Sequence, residues 1–398
     1  MIPRGAPYIS FTDLAAAAWN CLQPGDHLAA QTRIEAVWAP NSVALLSVRS
    51  GLDALFQALA LPPGSEVILS AITIPHILDI LAHHELVAVP VDVDTETLAV
   101  DACAMRAAIT PRTKAILVAH LFGSRMPLDD IAGVAREFDL PLIEDCAQAN
   151  DGSDYRGHEA STVSLFSFGS IKRQTALGGA LLRFKDAALA DRVRRIQATY
   201  PVLARGVYFQ RVYTMLFIKA VSMRVMFNAF IAACRLLRRD HDETLGTALR
   251  GFKHGDLLTR LRQHPGAPLL RTLERRLSQP AAPSIAERVT VVERVSAAYP
   301  GIARAGRRAP RHTHWLFPMV TARPDRLMQH LWTEGFDATR GASNLVCAAP
   351  PEGRVVPEQA TRLMRDVLYL PLYPTATTHE MQRMADVIRT YDAAHAAS

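Results

Sequence analysis

The stretch FSFGSIK, Phe166 to Lys172, carries a lysine out of a β-rich run (Val163 to Phe168) into a small-residue, glycine-rich turn, RQTALGGALL. Upstream lies LIEDCAQA, Leu142 to Ala149, an apolar strand end bearing two carboxylates and a glutamine. Working outward in both directions, short apolar runs alternate with amphipathic ones. Val43 to Val48, Glu66 to Ser70, Val87 to Asp92, Lys114 to His120 and Pro141 to Glu144 read as strands. Between them, helices are expected at RSGLDALFQALAL, with Leu52, Leu55, Phe56 and Leu59 on one face, and at Pro75 to His84, Cys103 to Ile109 and Leu128 to Phe138. Uninterrupted apolar strands separated by such helices predict an α/β chain with a mostly parallel sheet covered on both faces. Ligands collect at the carboxyl ends of strands in such sheets. Ser50, Gly51, Thr73, Asp92, His120, Asp145 and Lys172 all fall there.

The chain has 398 residues, enough for two or three domains. Residues 1–40 read as an N-terminal arm with one helix, Phe11 to Cys21, and 41–199 as the large α/β domain. Residues 200–284 form a mainly helical insert or connector, rich in Met, Phe and Val, that packs on the core or on a partner subunit. A smaller C-terminal α+β domain spans 285–398, with strands at HWLFPMV and VLYLPLY and helices at Asp325 to Glu334 and Thr378 to Ala394.

A net charge of +6 is spread along the chain without aromatic interleaving, which argues against nucleic acid and leaves anionic substrates, a phosphate cofactor or a lipid surface. Five widely separated cysteines without a CxxC pair form neither a disulfide framework nor a zinc site and point to a reducing, cytoplasmic setting. The N-terminus lacks the apolar core of a signal peptide, and no run of 18 uncharged apolar residues exists. Peripheral membrane contact through residues 207–237 stays open as a minority reading. No GxGxxG is present, HHEL at 83–86 lacks a second metal-binding histidine, and His120 has no metal cluster around it, so no metal is expected.

One cofactor makes use of the lysine, the acid and the turn together. Pyridoxal phosphate (PLP) requires an amine to form a Schiff base and a carboxylate to keep its pyridine nitrogen protonated. It also requires a phosphate cup at a helix N-terminus. Lys172 and Asp145 fit the first two roles. The Ser-Gly turn of SVRSGLDALFQAL, with Gly51 and Leu52 offering amides, fits the cup. Gln148 is placed for the ring's phenolic oxygen and Ser167 for the phosphate.

With these residues in place, the chain resembles the DegT-type, nucleotide-sugar aminotransferases of PLP fold type I. The resemblance rests on SGLDALFQAL, PPGSEVILSAITIP, VPVDVDTETL, AHLFG, LIEDCAQA, YRG and FSFGSIK with GGALL. It implies a seven-stranded-type sheet and a homodimer with shared sites. It assigns the ring to Asp145 and Gln148, the phosphate to Ser167, and the covalent link to Lys172; a histidine there would mark the related sugar dehydratases. Three departures stand out. The family's SGT reads SGL. The aromatic after Thr73 is Ile74, leaving His76 to stack on the ring. The family's Gly-Tyr-Asn-Tyr-Arg stretch is replaced by the insert. The expected function is transfer of an amino group from glutamate or glutamine to a nucleotide-linked keto sugar, with Arg340 on the substrate's anionic group. The alternatives are an apolar or lipid-linked ketone, or a non-catalytic subunit docking through 207–237.

Overall fold

The computed structural model describes residues 1–152, 155–244, 256–279, 282–341, 344–373 and 375–395. Eight strands occupy the first half: β1 (Ser42–Leu45), β2 (Glu66–Ser70), β3 (Ile72–Thr73), β4 (Val87–Val91), β5 (Thr113–Ala119), β6 (Leu142–Asp145), β7 (Val163–Ser167) and β8 (Ala180–Phe184). Seven of them form one sheet in the order β1-β8-β7-β6-β5-β2-β4. β4, β2, β5, β6 and β7 run parallel, while β8 is antiparallel to both β7 and β1. The parallel α/β sheet expected from the apolar runs is the one formed.

The apolar runs become strands because both faces of the sheet are covered. Every residue of β2 is buried, and β5 exposes only Lys114. One apolar layer joins Ile68, Val89, Ile116 and Val118 to Ile131 and Val134 of the helix Asp129–Glu137. The other joins Val67, Leu69, Leu117, Ile143 and Leu165 to Leu52, Leu55 and Phe56 of the helix Val48–Leu59. Each such large side chain, fully buried, contributes about 1.5–3 kcal/mol, so the sheet holds its strand ends firmly.

Three features lay outside the sequence reading. A second helix, His27–Trp38, follows Phe11–Leu22, and both pack on the helix Ala267–Leu277. The chain's first residues join the C-terminal unit: Ile2 sits in its core, and Arg4 pairs with buried Asp337 at 2.7 Å. That unit is also more helical than HWLFPMV and VLYLPLY suggested. Their extended parts shrink to β9 (Pro318–Val320) and β11 (Val367–Tyr369), and a further short strand, β10 (Val346–Cys347), pairs with β3, among the helices Ala282–Ala298, Pro324–Thr333, Glu358–Asp366 and Thr378–His395.

The first part of the insert holds the helices Arg205–Val221 and Arg224–Leu236, bent by 94° at their junction. Tyr208, Val212, Met215, Ile218 and Val221 make one buried stripe at helical spacing, and Tyr208 donates to the Ala176 carbonyl at 2.9 Å. Val207, Phe209, Tyr213 and Phe217 are exposed on the remaining surface. No single helix among the described residues is long and apolar enough to cross a membrane.

Candidate active site

β6 and β7 are neighbours, and their carboxyl ends bring Asp145 and the loop after Ser167 together. The loop folds back on itself: Lys172 N–H donates to Gly169 O at 2.9 Å, and Ala176 and Gly178 both donate to Phe168 O. Gly179, at φ +90°, donates to Leu46 O at 2.8 Å and ties the loop to the end of β1. Lys172 is thereby held half-buried. Burial pushes its pKa down to about 8, against the pull of Asp145, and Arg49 pushes the same way. Its Nζ lies 4.0 Å over the ring of Trp315.

Burial pushes the Asp145 carboxyl up, while the Ala147 N–H, 2.8 Å from Oδ1, and the charge of Lys172 hold it down. A half-buried lysine near neutrality and a half-buried acid on the adjacent strand form a pair poised for proton and carbonyl chemistry. Arg49, in the first turn of Val48–Leu59, adds a guanidinium that burial and Arg211 push down to about 10. Its Nη1 is 3.0 Å from His76 Nδ1. Arg49 has only protons to give, so Nδ1 accepts and His76 is the neutral Nε2–H tautomer. Burial and Arg49 both depress the His76 pKa.

The second carboxylate of LIED points elsewhere. Glu144 Oε1 accepts from His120 Nε2 (3.0 Å), the Tyr155 hydroxyl and the Cys146 thiol; Oε2 accepts from His158 N–H (2.7 Å) and the hydroxyls of Ser161 and Ser164. A carboxylate so surrounded is fully hydrogen-bonded, which holds its pKa well below the usual range despite burial. YRG is explained by the same network. Gly157 has φ +100°, and a Cβ there would stand 1.9 Å from Ser164 Oγ, so only glycine lets the chain pass and His158 reach Glu144.

The other expected site residues fall as follows. Ser167 ends β7, half-buried, its Oγ 3.4 Å from Gly169 N. Gln148 spends Oε1 on the Phe122 N–H at 2.9 Å, which leaves its NH₂ group as the donor end. Gly51 and Leu52 are placed differently from the expectation. Ser47 caps the helix one turn earlier, Gly51 N–H donates to Ser47 O at 2.9 Å, and Leu52 is completely buried. The amides without a helical acceptor are those ahead of them, at Val48 and Arg49. Glycine is required at 51 for packing, since a Cβ would come within 2.7 Å of Leu182. Asp92 caps the helix Glu358–Asp366 through the N–H groups of Gln359 and Ala360. Arg340 has partners within the C-terminal unit: its guanidinium is used on Asp325 at 3.1 Å and on the carbonyls of Met364 and Arg365. It fastens that unit. Arg49 and Trp315 escaped the sequence reading, although Arg49 stood in the quoted SVRSGL as a lone charge opening an apolar helix.

A PLP molecule needs an amine, an acid and a cationic cradle, and this donor set matches those demands. Lys172 would be the amine, Asp145 the acid, and the first turn of Val48–Leu59 with Arg49 the cradle. Fold and site together define a PLP-dependent enzyme of fold type I. The sequence profile of the DegT/DnrJ/EryC1/StrS aminotransferase family matches residues 33–235, and the chain belongs to that family. It is a PLP-dependent aminotransferase. Among solved structures, it is similar to the aminotransferase TlmJ from Streptoalloteichus hindustanus, with 20% identity, TM-score 0.71 and 99% of each chain covered. It is also similar to DesI, crystallised in the presence of its TDP-sugar product, with 20% identity, TM-score 0.69, and 100% of this chain and 93% of that one covered. A third is Helicobacter pylori PseC, an aminotransferase involved in the biosynthesis of pseudaminic acid, with 14% identity, TM-score 0.68, and 98% and 99% covered. At such identities the likeness is one of fold.

Proposed function

We propose that the protein transfers an amino group from an amino-acid donor, glutamate or glutamine, to a nucleotide-linked keto sugar, with Lys172 as the residue that holds PLP and moves the proton. The carrying observation is the half-buried pair of Asp145, at the end of β6, and Lys172, in the loop after the adjacent β7, with the lysine's pKa brought to about 8. PLP when bound supplies an electron sink that lets the Cα–H bond of an amino acid break. Lys172, near neutrality, is free to take that proton and return it. Asp145 is the group for the pyridine nitrogen: a positive ring beside it restores the ionised carboxylate that burial disfavours. Gln148, anchored through Phe122, directs its NH₂ at the phenolic oxygen. Ser167 and the Val48 and Arg49 amides, with the Arg49 guanidinium, receive the phosphate, and His76 is oriented by Arg49 as the ring's neighbour. Trp315 covers the lysine and excludes water from it. The sugar acceptor is supported by family membership and by relatives such as DesI, whose product is a TDP-sugar. We read the enzyme as a cytoplasmic homodimer with shared sites.

The test is optical and covalent. Protein incubated with PLP should gain the absorption of bound cofactor, and borohydride should fix it to the Lys172 peptide. Lys172→Ala should show neither. A wild type that stays colourless overturns the reading.

A second reading, a lipid-linked or apolar ketone met at a membrane surface, draws on the exposed Phe209, Tyr213, Phe217 and Val225 and on Leu236 and Leu237 at the end of the insert. The same surface would serve a non-catalytic subunit docking through 207–237. Liposome flotation of wild type against a Phe217→Glu, Val225→Glu variant separates these from the first reading: loss of flotation supports docking, and failure of the wild type to float removes it.

A further inference from the structure

Directly behind Lys172 the fold buries more positive charge than it neutralises. Arg173 is 6% exposed and Arg288 7%. Arg304 and the rings of His312 and His314 stand with them, the two rings stacked at 4.2 Å and 17°. Arg288 has its contacts assigned: it donates to the carbonyls of His314 and Trp315 and to the Tyr8 hydroxyl. Arg276 is likewise engaged, with Asp13 and with the carbonyls of Tyr8, Arg173 and Thr175. Arg173 differs. One nitrogen reaches the Thr313 carbonyl, while Nε and Nη1 are buried and have no hydrogen-bond partner among the described residues. Arg304 Nη1, His312 Nε2 and His314 Nδ1 are likewise buried without a hydrogen-bond partner among them. Since His314 N–H donates to His312 Nδ1 at 2.9 Å, the Nε2 of His312 carries a proton and is a donor with nothing to bind.

Among the described residues, positive charge predominates around the group. Asp151, which lies 3.9 Å from Arg125, is the carboxylate that acts on Arg173. The charges acting on His312 and His314 are the guanidiniums of Arg304 and Arg173, joined at His314 by Arg288. Burial and these neighbours push Arg173 down to about 9 and the histidines far below their ordinary value. An unpaired buried charge costs several kcal/mol, and a hydrogen-bonded anion removes that cost.

The cluster is one residue from Lys172 in sequence and is joined to it through Trp315, whose Nε1 donates to Ile171 O at 3.1 Å. We propose that Arg173, Arg304, His312 and His314 form an oxyanion site that seats the side-chain carboxylate of a dicarboxylic amino-acid donor while its α-carbon faces Lys172. This rests on the aminotransferase reading and selects glutamate over glutamine as donor. Burial favours a small anion over a diphosphate, which brings a nucleoside with it and needs an open mouth. Arg173 brings its Nε–H and an Nη1–H on different edges of the guanidinium, so each meets an anion as a single donor, alongside donors from Arg304 and His312.

The experiment titrates PLP-loaded protein with glutarate, which has both carboxylates and no amine and is not turned over. Binding is read by calorimetry, with butyrate and inorganic phosphate as comparison arms. Glutarate should bind at least tenfold tighter than butyrate. Arg173→Gln should weaken glutarate at least tenfold and Arg304→Gln several-fold, with Arg173→Lys intermediate. The absorption of bound cofactor, recorded on each variant, shows that the aminotransferase site is intact, so failure here is separable from failure of that reading. Equal binding of butyrate, or glutarate affinity unchanged in Arg173→Gln, overturns the proposal. Phosphate displacing glutarate with higher affinity also overturns it and gives the site to a phosphoryl group.

Discussion

Lys172 and Trp315 meet face to tip, the ammonium nitrogen 4.0 Å from the centre of the indole, and the indole N–H is tied to the carbonyl of the residue before the lysine. The ring has two opposed effects on the amine. Its bulk excludes water and favours the neutral form; its quadrupole favours the ammonium by about 0.5–1 kcal/mol. Replacing it separates them. In Trp315→Phe the face remains, and the pH at which half of Lys172 combines with PLP should stay near 8. In Trp315→Leu the burial remains and the face is lost, so the midpoint should fall by about half a pH unit. Spectrophotometric titration of PLP uptake against pH reads both, and an unchanged midpoint in the leucine variant would show that the ring only fills space.

Lys172 also costs the cofactor-free protein stability. Its folded pKa, about 8, lies below the ordinary lysine value of 10.5. Below pH 8 the buried ammonium bears the full penalty, and between 8 and 10.5 the folded state sheds the proton that the unfolded chain keeps, so stability rises with pH. Lys172→Met should therefore melt above wild type at pH 7, and the gap should narrow as pH climbs through 8 toward 10. A gap that widens with pH contradicts a buried, depressed lysine.

How much of this was legible beforehand depends on the range over which each feature is encoded. The parallel sheet was readable because β2, β5 and β6 are local apolar runs. Lys172, Asp145 and Gln148 stand out in the sequence because they lie at or just past strand ends, where an α/β sheet gathers its ligands. Gly51 and Leu52 were misplaced by one helical turn, since capping by Ser47 turns on a side-chain bond and not on the Ser-Gly pattern. Trp315 and Arg173 gain their meaning from each other's surroundings across the two units, which no periodicity records. Arg340 shows the converse: an arginine in a glycine-flanked segment looked free because Asp325, its partner, sits on a separate helix.

That assignment of Arg340 is testable against the substrate role first expected of it. If it only fastens the C-terminal unit, Arg340→Ala should leave KM for donor and acceptor within about twofold. It should lower Tm by a few degrees, corresponding to about 1 kcal/mol for a partly exposed ion pair plus its carbonyl bonds. Steady-state kinetics with melting curves decide the matter; a tenfold rise in KM without loss of Tm would return Arg340 to the site.

Glu144 supports the site from behind without touching it. Its six donors come from β5's end, from Cys146 just past β6, from the Tyr155–Ser161 segment and from β7, so the carboxylate binds together the elements that aim Asp145 and Lys172. Because the folded pKa is held below the unfolded value of about 4.5, the contribution is fully present above that pH and disappears as pH falls beneath it. Glu144→Gln keeps the shape but turns an NH₂ toward groups that are themselves donors. It should lose about 3 kcal/mol at pH 7, and its Tm should vary less between pH 5 and 3 than that of wild type, whose stability drops steeply there. Melting curves at several pH values, with PLP uptake as a second reading, separate the two outcomes: a variant that is destabilised yet binds PLP at low temperature leaves Glu144 as a positioning residue, whereas loss of PLP uptake in a folded variant places it in the site itself.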